Sequence, residues 1–499
     1  MLLTIQHLSI HHQKDLRTLV QDLSLRIHTG DKVAIIGEEG NGKSSLLQLL
    51  LQEPAPDHLL VEGTIQRHFS APVYLPQTLP KALAELSLND YFFADPDELD
   101  YGLVYRYADQ LGFDSQRLSS LQSLASLSGG ETLKIQLIRA LASPADIFFL
   151  DEPSNDLDLD SLLWLEHFVA TCPQAVVFVS HDEDFLNHTA TKIIHLESLK
   201  RKQVAKTQVW QGNYPAYKED RKQRYGKQKQ QAQNERKEFE KTMDKHRRQK
   251  AQVRHSLINT HDATAGRLVA KKMKQVLGRE RRFEQQREEL TQAPLDEEAI
   301  QLFFSNIQPL PAKKSLLKWG EFTLPTEEHL HAQDKIGIIG ANGIGKSTLL
   351  KRIYQEMLTK TDIRPGYMPQ QYQEMLPDLE TPLQFLCPSG DQLQEQKALT
   401  HLAQLQFTRQ EVHHAISDLS GGQQAKLLLL KLVLDQANLL LLDEPSRNFS
   451  PTSQPQIRQL FQNYPGAIIA VSHDRRFLHQ VCDRVYRLTE AGLVPVDNF

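Results

Sequence analysis

Short, almost unbroken apolar runs recur along this chain, and each stops at a glycine-rich loop or a carboxylate. Val33-Ala-Ile-Ile36 and Ile336-Gly-Ile-Ile339 each lead into glycines. Each is followed by a run with helical spacing, Ser45-Leu-Leu-Gln-Leu-Leu50 and Thr348-Leu-Leu-Lys-Arg-Ile353. Asp146-Ile-Phe-Phe-Leu150 and Asn438-Leu-Leu-Leu-Leu442 stop at acidic pairs. Continuous rather than alternating apolar runs predict parallel strands buried on both faces, with helices between them. The first ten residues, Met1 to Ile10, read as a further strand.

The loops between strand and helix fit one phosphate-binding pattern, and they do so twice. Gly37-Glu-Glu-Gly40-Asn41-Gly42-Lys43-Ser44 lies 303 residues before Gly340-Ala-Asn342-Gly343-Ile-Gly345-Lys346-Ser347. In G-x-x-x-x-G-K-[ST] the backbone N–H groups wrap a phosphate, Lys reaches its terminal oxygens and Ser holds Mg²⁺. The following helix, opening with Ser45 or Thr348, adds the positive end of its dipole.

More elements repeat in the same order. Leu127-Ser128-Gly129-Gly130-Glu131 has its counterpart in Leu419-Ser420-Gly421-Gly422-Gln423. Asp151 and Asp443 each follow the serine by 23 residues, and His181 and His473 follow the aspartates by 30. Gln77 and Gln370 precede the serines by 51 and 50 residues. The set resembles the ATP-binding cassette ATPases over about residues 1–215 and 305–499. The resemblance implies an α/β fold with two tandem nucleotide-binding domains, expected at 1–217 and 301–499 and joined by a helical-hairpin linker at 218–300.

It also implies the chemistry. Asp151 and Asp443, with Ser44, Ser347, Gln77 and Gln370, are expected to serve Mg²⁺. Glu152 and Glu444 are expected to orient the attacking water, with His181 and His473 near the γ-phosphate. Phosphoryl transfer asks mainly for positioning and charge neutralisation, which this residue set supplies. Two cassettes of this family close face to face, so the Ser128 segment would cover the Lys346 site and the Ser420 segment the Lys43 site. One departure makes the sites unequal: Pro153-Ser-Asn-Asp156-Leu-Asp158 is followed in the second copy by Pro445-Ser-Arg447-Asn448-Phe449-Ser450. No convincing adenine-stacking aromatic precedes the first loop, where His11 and His12 stand, and the candidates ahead of the second are Trp319 and Phe322.

Charge changes the picture in the middle of the chain. Residues 218–287 hold 22 Lys and Arg against 9 Asp and Glu, a net of +13, while the whole chain carries −5. Apolar residues fall at heptad spacing at Tyr225, Ala232 and Phe239, and again at Val269, Val276, Phe283 and Leu290. A breaker-rich stretch between them predicts an antiparallel hairpin with its tip near 255–267. Arms of about 35 residues would reach roughly 50 Å. Arg247, Arg248, Lys250, Arg254, Arg267, Lys271, Lys272 and Lys274 cluster at that tip, a density suited to the phosphate backbones of RNA or DNA.

No run approaches 18 uninterrupted apolar residues, and three cysteines in 499 residues suit a reducing cytosol. Two fused cassettes, a basic linker, and the strings Gln211-Gly-Asn-Tyr214-Pro-Ala-Tyr217 and Gly266-Arg-Leu-Val-Ala-Lys-Lys-Met273 are similar to the F subfamily of these proteins. That resemblance implies a monomeric ATPase acting on the 70S ribosome, its linker reaching the P-site tRNA and nearby rRNA. Arg447-Asn-Phe-Ser-Pro451 looks like the variant of bacterial antibiotic-resistance members, with housekeeping translation factors as the alternative and an exporter's ATPase pair a more distant one.

Overall fold

The computed structural model describes residues 1–14, 16–52, 56–94, 99–199, 204–258, 271, 274, 304, 307–318 and 329–496. The chain forms two compact units, one of Met1–Tyr214 with Glu297–Phe499, the other Pro215–Asp296.

The first unit contains both cassettes. Strands β1 (Leu3–His12), β2 (Thr18–Ile27) and β4 (Leu59–Arg67) make an antiparallel sheet in the order β2-β1-β4. Strands β3 (Lys32–Gly37), β5 (Pro72–Leu75), β6 (Ile147–Asp151), β7 (Ala175–Val179), β8 (Lys192–Leu199) and β9 (Val204–Gln211) form the main sheet, ordered β5-β6-β7-β3-β8-β9. In the second cassette β10 (Ser315–Lys318) pairs with β11 (His329–His331). Its main sheet takes β12 (Lys335–Ile339), β13 (Pro365–Met368), β14 (Leu439–Asp443), β15 (Ala467–Val471), β16 (Arg484–Thr489) and β17 (Gly492–Pro495) in the order β13-β14-β15-β12-β16-β17. The two orders are the same, so the duplicated motifs sit on duplicated scaffolds.

The neighbours β5 to β8 are parallel and only β9 runs against them; β17 is its antiparallel equivalent. Every residue of β3, β6, β7, β14 and β15 is buried, as the continuous apolar runs require for strands covered on both faces. Ligands in such sheets collect beyond the carboxyl ends of the strands. Both glycine loops and both acidic pairs lie there.

In the second unit the helix Tyr214–Ile258 runs 45 residues, about 65–70 Å. It starts inside the Gln211–Tyr217 string, with Pro215 in its first turn, where a missing N–H costs nothing. The arm is thus about ten residues longer than the heptad stripe suggested. Pairs such as Arg224–Asp220 (2.5 Å) and Arg236–Glu240 (3.2 Å) run along its surface. Arg247 and Arg248 are exposed, as are Lys271 and Lys274, and Lys250 is half-buried. The helix runs into the start of the expected tip; residues 259–267 and, apart from Lys271 and Lys274, the second arm lie outside the described residues, as do Lys272, the side chain of Arg254, Trp319 and Phe322.

Candidate functional site

Each glycine loop turns the chain from strand to helix through backbone angles that only glycine takes easily. Gly42 and Gly345 cap the helices Lys43–Leu51 and Lys346–Leu358 with φ of 86° and 100°. The lysines curl over their own loops. Lys43 Nζ donates to the carbonyls of Gly37 and Glu38 at 3.0 Å, and Lys346 Nζ to those of Gly340 and Ala341 at 2.8 and 3.0 Å. Burial lowers the pKa of both ammonium groups, against the pull of the nearby carboxylates. Asn41 is turned away from the loop's mouth, its amide donating to the Leu196 carbonyl at 3.0 Å.

The two cassettes face each other, and two cavities lie between them. One, of about 650 Å³, is lined by Asn342, Gly343, Gly345, Lys346, Ser347, Thr348 and Gln370 of the second cassette and by Ser128, Gly129 and Gly130 of the first. The other, of about 660 Å³, is lined by Gly40, Gly42, Lys43, Ser44, Ser45 and Gln77 of the first and by Ser420 and Gly421 of the second. Each glycine loop is therefore covered by the LSGG segment of the opposite cassette. The approach is close: a Cβ on Gly130 would stand 2.2 Å from the Asn342 amide. Glu131 and Gln423 do not reach into the cavities. They fold back on Ser128 and Ser420 as capping boxes of helices Gly129–Ala142 and Gly421–Leu434, and Arg117 holds Glu131 at 2.7 Å.

The acidic pairs sit at the ends of β6 and β14. Asp151 Oδ1 accepts from Ser44 Oγ at 3.1 Å, and burial raises its pKa to about 6 despite that bond. Glu152 and Glu444 hold positive φ, 52° and 51°, a strained backbone of the kind that collects at reacting centres. His181 Nε2 lies 3.0 Å from Glu152 and His473 Nε2 3.6 Å from Glu444. The two pairs differ electrostatically. Burial pushes Glu152 up, but His181 and Lys43 outweigh it and its pKa ends lowered. In the second pair burial and Asp443 push Glu444 up to about 8, while burial beside Lys346 drops His473 to about 3.

The residues fit a magnesium nucleotide. Nδ1 of His181 and of His473 is buried with no hydrogen-bond partner, and so is Glu152 Oε2. Hydroxyl, carboxylate and amide oxygens form the hard donor set that Mg²⁺ prefers. Among the described residues no three His, Cys, Asp or Glu cluster as a metal cage. Gln370 is turned across the interface instead, its amide donating to Asp156 Oδ1 at 3.0 Å.

Several site residues escaped the motif reading. Glu39 accepts from the Gly422 N–H at 2.6 Å, and Glu38 pairs with Lys426 at 3.1 Å, so both acidic residues of the first loop contact the opposite LSGG helix. The release of Lys426 has a local cause: its duplicate Lys134 pairs with Asp158 at 2.8 Å, and the second cassette has Ser450 in place of that aspartate. Arg17 and His58 line the Lys43 cavity beside His12, which the sequence had already placed ahead of the first loop. Gln454 donates to the carbonyl of His181 at 2.8 Å, tying that loop to the second cassette. Among the described residues no helix is long and apolar enough to cross a membrane.

The ABC transporter family model matches twice, at residues 20–155 and 326–447. The chain is 27% identical to YheS of Escherichia coli K12, described as a probable ATP-binding protein, over 98% of this chain and 79% of that one. It is 25% identical to ABC transporter F family member 5 of Arabidopsis thaliana, over 95% of this chain and 73% of the relative. A model of ribosome-bound archaeal Pelota and ABCE1 shares the fold, with a TM-score of 0.60 at 18% identity over 98% of this chain and 78% of that one. The chain therefore belongs to the ABC transporter family, as an ATP hydrolase with two tandem copies of the ATP-binding domain and an end-to-end likeness to F-subfamily members.

Proposed function

We propose that ATP holds the two cassettes together so that the basic linker is presented to the ribosome, and that hydrolysis lets the protein go. The observation that carries this reading is the composition of the cavities: each contains a phosphate loop from one cassette and an LSGG segment from the other. A nucleotide bound there touches both halves and favours the closed form by its differential contacts, which hydrolysis removes.

Within each site Lys43 or Lys346 neutralises the terminal phosphates, and Ser44 with Asp151, or Ser347 with Asp443, holds Mg²⁺. The ion, when bound, would supply charge neutralisation to the phosphates. Glu152 and Glu444 orient the attacking water, and His181 and His473 stand beside the terminal phosphate. The exposed basic residues of the linker, Arg247, Arg248, Lys271 and Lys274 among them, contact the phosphate backbone of rRNA and of the P-site tRNA. The consequence we favour is displacement of antibiotics bound at the peptidyl-transferase centre, supported by the Arg447-Asn-Phe-Ser-Pro451 variant of the second cassette.

Expression in a sensitive bacterium, followed by growth on a panel of ribosome-targeting antibiotics, tests this. Protection that disappears with Glu152→Gln/Glu444→Gln supports antibiotic displacement. Growth effects without protection against any drug would point to a role in ordinary translation instead.

A further inference from the structure

Between Ser128 and His181 the two cassettes align at a constant offset of 292 residues, matching Ser420 and His473. Three positions in and just after this stretch reverse their charge. Glu166 corresponds to Arg458, Glu183 to Arg475 and Asp184 to Arg476. The first cassette thus presents three carboxylates where the second presents three guanidinium groups.

All six meet at the cassette interface. Arg475 pairs with Glu166, Arg458 with Glu183, and Arg476 with Asp184 at 2.6 Å and Glu183 at 3.2 Å. The first two pairs are equivalents under the duplication, since exchanging each residue for its counterpart turns one into the other. Arg476–Asp184 joins a position to its own counterpart, so it lies on the approximate two-fold axis relating the cassettes. In an interface of this symmetry, two copies of the same cassette would bring like charges together. Glu166 would face Glu183 in one case, and Arg458 would face Arg475 in the other. The Arg458 and Glu183 side chains are 3% and 1% exposed, so solvent would screen little of that repulsion.

We propose that this reversed-charge cluster is a pairing code: it admits the first cassette only onto a second cassette and rejects like-on-like pairing with a second copy of the chain. Buried ion pairs often add little net stability over apolar contacts, whereas juxtaposed like charges cost several kcal/mol, so the cluster acts on choice of partner. The inference does not depend on the ribosomal reading.

The test uses full-length chains. Glu166→Arg/Glu183→Arg/Asp184→Arg makes both faces basic, and Arg458→Glu/Arg475→Glu/Arg476→Asp makes both acidic. Each alone should stay monomeric and bind a non-hydrolysable ATP analogue at least about tenfold more weakly. Mixed together, they should regain binding and run at twice the monomer mass in light scattering. The chain carrying all six changes should be monomeric and bind within about threefold of wild type. Half-changed chains that bind like wild type would overturn the proposal, as would a mixture of folded chains that stays monomeric. Should the triple variants fail to fold, Glu166→Arg and Arg475→Glu singly and together decide it: recovery in the double variant supports the code, and no recovery refutes it.

Discussion

Arg447 and Asp156 form an ion pair across the cassette interface, guanidinium to carboxylate at 2.8 Å. Arg447 occupies the position of Asn155 in the first copy, and Asp156 also accepts from Gln370. The Asn342 amide donates to the Asp156 carbonyl. One residue of the first cassette thereby gathers the glycine loop, the glutamine and the variant loop of the second.

The pair is partly solvated, so its worth lies in position more than in stability. Arg447→Ala and Asp156→Ala should each lower ATP turnover several-fold while costing about 1 kcal/mol or less in thermal stability. Combining them should add little, since both break the same contact. Additive losses in a double-mutant cycle of kcat would show that the two act separately.

Glu39 places a carboxylate on the Gly422 N–H, a donor that faces the Lys43 site. Its duplicate is Asn342, which is neutral. A carboxylate there competes with a terminal phosphate for the donor and repels it. Glu39→Asn should tighten one of the two sites for a non-hydrolysable ATP analogue by about tenfold, roughly 1.4 kcal/mol. Titration calorimetry that finds both sites unchanged would refute this.

Asp182 caps the helix Glu183–Thr189, accepting from Asp184 N and Phe185 N at 2.8 and 3.0 Å. Burial, then the facing Asp474, raises its pKa to about 7. A raised carboxyl pKa means the folded chain holds the proton more tightly than the unfolded one. Stability is therefore greatest below about pH 4 for this group and declines as pH rises to about 7. Asp182→Asn keeps the cap and removes the charge. It should leave Tm unchanged near pH 4 and raise stability by about 1–2 kcal/mol at pH 8, a modest figure because the side chain retains some solvent contact. Melting curves across that range check it, and a gain at pH 4 equal to that at pH 8 would contradict it.

Gln454 holds the His181 carbonyl from the opposite cassette. Gln454→Ala should reduce kcat about threefold to tenfold with little change in nucleotide affinity, because the contact orients the loop and leaves phosphate binding alone. A rise in KM at constant kcat would assign Gln454 to binding instead.

What the sequence made legible follows from how local each signal is. Loop, helix cap and buried strand are written within a few residues of one another, so Lys43, Ser128 and Asp151 could be placed before any fold was known. Trans pairing of Ser128 with Lys346 came from family resemblance. Arg447 with Asp156, Glu39 with Gly422 and Gln454 with His181 join positions hundreds of residues apart, and nothing local announces such partners. Glu166 against Arg458 was readable as a charge reversal once the copies were aligned, but its meaning needed the facing surfaces. The first arm, expected at about 35 residues, runs 45 in helix Tyr214–Ile258, because heptad residues mark only one stripe of a helix and not its ends.

The central claim is that nucleotide closes the cassettes and thereby loads the protein onto ribosomes. The direct measurement is co-sedimentation of purified Glu152→Gln/Glu444→Gln protein with ribosomes, with and without ATP. The account predicts strong ATP-dependent pelleting well above wild type, abolished by Lys43→Ala/Lys346→Ala. Pelleting of the glutamine variant no greater than wild type under ATP would contradict it.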